Sequence, residues 1–297
     1  MSRKLTRKEK ALIRTKNKLS SPWATLLSIV IAFLWTLPTV GLLVTSFRDN
    51  RRAISSSGWW TSFLPENWSD FGLGNYESVL GGSYNLGDYF INSFVITIPG
   101  VLIPITLALL AAYAFAWCNF PGKNILFVAV FALQVVPVQV TMIPLLTQYV
   151  NWGLNNTFWV LWLSHTIFGL PLAIFLLHNF MCEIPRELVE AAEVDGAGHV
   201  QVFLKVVLPL MVPAVASFMI FQFLWVWNDL LVALAFAGNT PATAPLTARL
   251  SDMVGSRGSA WYLLAPGAFI AMIVPVAVFL FLQRYFVRGM LAGAVKG

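Results

Sequence analysis

Six stretches of this chain run for about 20 residues or more with almost no charge, the length a helix needs to cross a hydrocarbon core about 30 Å thick. Backbone N–H and C=O groups find no water in lipid, so each stretch is expected to close its own hydrogen bonds as a helix. The stretches fall at about Trp23 to Ser46, Tyr89 to Trp117, Ile125 to Val150, Thr157 to Met181, Leu210 to Ala237 and Tyr262 to Gln283. The fourth carries His165 and His178, and the fifth holds one carboxylate, Asp229. With 58% apolar and 11% charged residues, the chain lies far from the roughly 25% charge of a soluble domain. An all-α integral membrane protein with six transmembrane helices is expected.

Lys and Arg are retained on the cytoplasmic side more than they are translocated. Placing the basic tail, Arg3 to Lys18, inside and alternating from there leaves only Arg48, Arg51, Arg52, Arg249 and Arg257 of the 19 basic residues outside. Both termini are therefore expected in the cytoplasm. The first apolar run is longer than the core of a secretion signal and lacks a clear small-x-small cleavage site, so it is read as a retained span. The domain plan is a cytoplasmic N-terminal tail (1–22), a six-helix domain (23–288) and a cytoplasmic C-terminal tail (289–297). The net charge of +6 sits beside membrane ends rather than among exposed aromatics. Anionic lipid is therefore the expected partner of the tail, and no nucleic acid. Cys118 and Cys182 fall near cytoplasmic ends, where thiols stay reduced.

Two loops face outward. The first, about 47–88, is rich in Ser, Gly, Asn and Trp; its Trp59, Trp60 and Trp68 either anchor at the lipid interface or pack a small folded cap. The second, about 238–261, contains Pro241, Pro245, Gly255 and Gly258, a composition suited to irregular backbone. Prolines recur within the spans, among them Pro99, Pro104, Pro137, Pro144, Pro171, Pro213, Pro266 and Pro275. Each removes a backbone donor, which a membrane tolerates when neighbouring helices or cavity water satisfy the freed carbonyl.

Between the fourth and fifth spans lies a polar island, about 183–209. Pro185 suits a first helical position, Glu187, Glu190 and Glu193 suit early turns, and Arg186 with Glu190 is spaced as an i,i+4 pair. A short helix from about Pro185 to Val194 is expected. Ala191 and Ala192 let another surface approach the backbone, and Asp195-Gly196 offers a turn because Gly accepts positive φ. A second short helix, about His199 to Val207, leads to Leu208-Pro209 at the entrance of the fifth span. The plainer reading is an amphipathic connector lying on headgroups. Against it stand five acidic residues, Glu183, Glu187, Glu190, Glu193 and Asp195, facing Arg186 and Lys205, the wrong sign for an anionic leaflet. A protein partner is favoured.

The island resembles the coupling signature of ABC-importer membrane subunits: Glu190-Ala191-Ala192, Gly196 four residues after the second Ala, and Val206-Val207-Leu208-Pro209 beginning ten residues beyond the Gly, with Val206 where Ile is usual. The resemblance extends over nearly the whole chain. It takes in Asn92-Ser93, Ala111 to Phe115, Ile184-Pro185, Trp227-Asn228-Asp229, and the tail Arg284 to Gly289 with Gly293 to Gly297. The chain is similar to permease subunits of carbohydrate-uptake ABC importers, in particular the second permease subunit of the maltose system. The long first outer loop with Ser55-Ser56-Ser57-Gly58-Trp59-Trp60 looks most like the α-glucoside and glucosylglycerol branch.

That resemblance implies a type I ABC importer permease fold in a bacterial or archaeal cytoplasmic membrane. It also implies a second homologous permease subunit, two cytoplasmic ATPase subunits that bind ATP and Mg, an extracytoplasmic solute-binding protein, and a di- or oligosaccharide or glucoside as cargo. Glu190, Ala191, Ala192, Asp195, Gly196, Leu208 and Pro209 are then the residues that couple to the ATPase. No phosphate-binding loop is present: Gly122-Lys123 is followed by Asn124 and lacks the upstream Gly. Nucleotide binding, and catalysis, are expected elsewhere, with no cofactor in this chain. His165, His178 and His199 are scattered, and no metal site is expected.

An ionisable group within a span costs at least about 2.5 kcal/mol at the bilayer centre unless it faces a cavity or a partner. Asp229, with Asn228 beside it, either lines the sugar path or ties its helix to another, for instance through Gln222. Sugar sites also use aromatic faces and amides, which Trp225, Trp227, Gln134, Gln139 and Gln148 supply, although most aromatics here must serve packing. Two other readings stay open: an importer permease for a non-sugar solute, and a stand-alone secondary transporter, which would need its own coupling site with only Asp229 to build it.

Overall fold

Most of the long uncharged stretches form long helices, because helical backbone satisfies its own hydrogen bonds in a hydrocarbon environment. The computed structural model describes residues 22–49, 58–81, 84–238, 240–254 and 261–294, with the side chains of 261 and 284–294 left aside. The basic tail Arg3 to Lys18, Arg51, Arg52, Ser55 to Ser57, Arg257 and Val295-Lys296-Gly297 lie outside the described residues. So do the side chains of the Arg284 to Gly289 motif. Five helices among the described residues are long and apolar enough to cross a membrane, or up to six if one bent pair is a single span.

The chain divides into two units, 1–77 and 78–297. In the first, α1 (Pro22–Ser46) is followed by two 3-10 turns, Trp59–Phe63 and Pro65–Asp70, and then by the start of α2 (Gly74–Gly81). Arg48 and Phe71 form an antiparallel bridge. The Asp49 carboxylate accepts the N–H groups of Gly74 and Asn75, both at 3.1 Å, and the Asn75 amide donates to the Arg48 carbonyl at 2.6 Å. Trp59 lies against Gly41, where a Cβ would stand 2.7 Å from the indole nitrogen, and it meets Phe63 edge-on. Trp60 and Trp68 stay exposed. The loop after α1 thus packs Trp59 against α1 and leaves Trp60 and Trp68 exposed.

In the second unit α3 (Leu86–Trp117) and α6 (Phe158–Cys182) form the most extensive helix pair, joined by α9 (Leu208–Trp227) and α12 (Trp261–Ala294). Small side chains make this close approach feasible where lipid supplies no hydrophobic drive: Ala108, Ala112 and Ala173 are fully buried at the centre. Prolines decide much of the polar wiring. A proline at position i leaves the carbonyl of i−4 without its helical donor. Pro99 frees Val95, and the Trp162 indole of α6 donates to that carbonyl at 2.9 Å. Pro104 frees Gly100, and the Gln222 amide of α9 donates there at 3.1 Å. Pro275 frees Ala271, and the Trp227 indole donates to it at 3.0 Å.

Four expectations change. The third apolar stretch is not one helix: α4 (Lys123–Ala132) with a 3-10 turn to Val135 meets α5 (Val138–Asn151) at a 100° bend. Proline disfavours helical geometry in the residue before it. Accordingly Val136 before Pro137 is extended, with ψ 119°. The fifth span begins at His199 and ends at Trp227 rather than running to Ala237. Asp229 starts a separate helix, α10 (Leu231–Phe236), by taking its first N–H groups on the side-chain carboxylate, the usual way Asp competes with a continuing helix. The outer loop at 238–261 is not wholly irregular, since α11 (Leu246–Val254) forms within it. Its Leu246, Leu250 and Met253 recur at helical spacing; Leu246 and Met253 are buried, and Leu250 packs against Gly267. Finally, Arg186 and Glu190 are not among the ion pairs of the described residues.

Candidate functional site

The polar island folds as an elbow of two helical arms. Pro185 is the N-cap of α7 (Arg186–Val194), where a residue without an N–H leaves nothing unsatisfied. The helix stops because Gly196 adopts φ +85°. With Gly196 in the left-handed region, the Ala197 N–H reaches back to the Ala192 carbonyl and the Gly196 N–H to the Glu193 carbonyl, both at 2.9 Å. This is the paired bonding that ends a helix at a left-handed glycine. A Cβ at Gly196 would meet no atom within 4 Å, so backbone conformation and not space requires glycine there. The chain then enters α8 (His199–Val202), a π-helical turn at Phe203–Val207, and α9 without interruption. Leu208 and Pro209 are the first residues of α9, so the second arm and the spanning helix are one continuous rod.

The elbow has an inner and an outer face. Val189 and Val202 are buried, and Ala192 and Ala197 pack partly against the same core as α3 and α6. Glu187, Glu190, Ala191 and Asp195 are exposed. The Glu-Ala-Ala triplet is thus divided: Ala191 is presented, while Ala192 holds the arm to the body. Leu188, Val194 and Val200 are also exposed. An acidic surface studded with apolar side chains suits a protein partner better than an anionic leaflet.

At the far end of α9 lies a second polar group. The Asp229 carboxylate accepts the Val232 N–H at 3.2 Å and the Ala233 N–H at 2.9 Å, and its backbone carbonyl accepts the Thr247 hydroxyl. His165 Nε2 stands 3.8 Å from Asp229 Oδ2, with the two side chains 1% and 8% exposed. His165 Nδ1 has no hydrogen-bond partner. Trp225 meets the His165 ring edge-on at 5.2 Å. Gln222 bonds the Gly100 and His165 carbonyls and lies so close to Gly169 that a Cβ there would stand 2.9 Å from its amide. Asn228 is exposed and donates to the Leu224 carbonyl at 2.8 Å. Of the sugar-path candidates, then, Asp229 and Gln222 are engaged in tying helices together, whereas Trp225 and Asn228 keep free surface.

Sequence reasoning did not find the pinning of the outer loop. The Asn92 amide donates to the Pro241 and Ala244 carbonyls at 2.8 and 3.1 Å, and the Ser93 hydroxyl accepts the Leu246 N–H at 2.8 Å. The Asn92-Ser93 pair within an apolar run was its only signal. A cavity of about 700 Å3 also opens at the bend in the third stretch, lined mostly by apolar residues with Gln134 and Thr141 among them.

Residues 100–292 match the family described as binding-protein-dependent transport system inner membrane component. The chain is 55% identical to the osmoprotective compounds uptake permease protein GgtD of Synechocystis sp., over 90% of each chain. It is 38% identical to the alpha-glucoside transport system permease protein AglG of Rhizobium meliloti, over 93% of this chain and 97% of that one. Among solved structures, a chain of a bacterial alginate ABC transporter in complex with an alginate pentasaccharide-bound periplasmic protein superposes with a TM-score of 0.64 at 15% identity, covering 91% of this chain and 95% of that one.

Proposed function

Since the chain belongs to the family of binding-protein-dependent transport system inner membrane components, we propose that it is a permease subunit of an ATP-driven sugar importer whose elbow at 183–209 receives the motion of a cytoplasmic ATPase. The observation that carries this reading is the elbow itself. A glycine-terminated helix presents Glu190, Ala191 and Asp195 outward while its other arm continues without a break into the spanning helix α9. A push on such an element is passed to the membrane core along one continuous helical path. Ala191 lets a partner approach to backbone distance, and the Gly196 turn fixes the angle between the arms.

In this reading the bent pair 123–151 completes a six-span bundle with both termini in the cytoplasm of a bacterial or archaeal cell. A second homologous permease forms the other half of the path, two ATPase subunits hold ATP and Mg, and an extracytoplasmic binding protein delivers cargo to the outer face. Neutral glucosides, including glucosylated osmoprotectants, are the proposed cargo class, supported by the relatives GgtD and AglG.

The test is co-purification of the wild-type chain, from detergent, beside a Glu190→Ala, Gly196→Pro variant. An ATPase and a second permease are expected with the wild type, and loss of the ATPase from the variant. A wild-type chain that emerges alone, or a variant that retains the ATPase, would overturn the proposal.

A further inference from the structure

The elbow has one polar anchor to the transmembrane body that the coupling signature does not include. Tyr113 lies one turn before the end of α3, buried except for 8% of its surface. Its hydroxyl stands 3.2 Å from His199 Nδ1 and 3.3 Å from the His199 carbonyl, at the first residue of the second arm. Both contacts can be made at once: the hydroxyl donates to the carbonyl while a ring N–H on Nδ1 donates to the hydroxyl oxygen. The same ring packs edge-on against Phe203, with centroids 5.2 Å apart, at the start of the π-helical turn. A π turn is a local weakness where a helix bends or shifts register readily. One side chain of α3 thus grips the elbow immediately before the place where the rod would otherwise yield.

We propose that Tyr113 is a positioning residue that, with His199, locks the elbow to the cytoplasmic end of α3, so that the ATPase stroke moves α3 and α9 together. This rests on the reading of the elbow as the ATPase-docking element. Without the lock, part of the stroke is absorbed in the Phe203–Val207 turn and what passes on reaches α9 without α3, the helix that packs most extensively on α6.

Tyr113→Phe is the informative variant, because it removes both hydrogen bonds and keeps the ring on Phe203. Spin labels are placed at Gln201→Cys on the second arm of the elbow and Asn119→Cys just beyond α3, both exposed positions, with Cys118 and Cys182 replaced by Ser. The distance between labels is measured in the assembled complex with and without Mg and a non-hydrolysable ATP analogue. The wild type should give one narrow distance that nucleotide leaves unchanged, whereas Tyr113→Phe should give a broadened distribution that shifts with nucleotide. Should Tyr113→Phe fail to assemble, His199→Ala is measured instead: it removes the bond to Nδ1 and keeps the bond to the backbone carbonyl, so a smaller broadening in the same direction is expected. A wild-type distance that already shifts with nucleotide overturns the proposal, and so does a Tyr113→Phe complex indistinguishable from wild type. A wild-type chain that brings no ATPase overturns the docking reading itself, and the lock with it.

Discussion

Trp227→Phe is expected to destabilise the helix bundle by about 2 kcal/mol, and Pro275→Ala is expected to return about half of that. The Trp227 indole donates to the Ala271 carbonyl at 3.0 Å, the carbonyl that Pro275 leaves without a helical partner. Phenylalanine keeps the stacking on Phe223 and the edge contacts with Phe90 and Phe94, so the variant mainly deletes the N–H. Hydrogen bonds between membrane helices average about 0.6 kcal/mol and reach about 1.7. The smaller ring of a nearly fully buried side chain adds a packing loss of about 1 kcal/mol. Alanine at 275 restores an N–H four residues beyond Ala271, so the carbonyl no longer needs the indole. The coupling in the double-mutant cycle should therefore be about 1 kcal/mol, read by SDS titration in mixed micelles with helicity followed by circular dichroism. If the two single costs add to within about 0.3 kcal/mol, the carbonyl is not what Trp227 serves and the reasoning fails.

Gln222→Leu should behave likewise, with its cost partly relieved by Pro104→Ala, checked in the same titration. Gly169→Val should displace the Gln222 amide and lower the unfolding midpoint, whereas Gly169 substitution in a Gln222→Ala background should cost less; equal costs in both backgrounds would refute the contact. Gly196→Ala should keep the elbow but strain its turn by about 1 kcal/mol, because non-glycine residues resist positive φ, and should weaken ATPase retention on a pull-down without unfolding the bundle. Asp229→Leu should lose the start of α10 and lower uptake in whole cells, while Asp229→Asn, which keeps one acceptor oxygen, should retain more of it; identical uptake in the two would argue against the helix-starting role.

The runs free of charge determined that the chain spans a membrane, because length and hydropathy along one segment are enough to demand a helix there. The elbow was equally legible. Proline, glutamates, small residues and glycine each act within a few positions of themselves, and Gly196 at φ +85° ends the helix where the local chemistry says it should. The positions of Pro99, Pro104 and Pro275 likewise announced three carbonyls in need of donors. Which side chains answer them was decided only by packing, since Trp162, Gln222 and Trp227 stand 67, 122 and 44 residues away from the carbonyls they meet. The same holds for Asp229. Its type and position marked it as unusual, but not that its carboxylate starts α10 and faces His165, because those partners come from an interruption of the helix after Trp227 and from a neighbouring helix. Sequence fixes what each residue must satisfy within a turn of itself. Partners across helices depend on how the rods pack, a sum of small contacts spread over the whole bundle, and only the tertiary structure shows it.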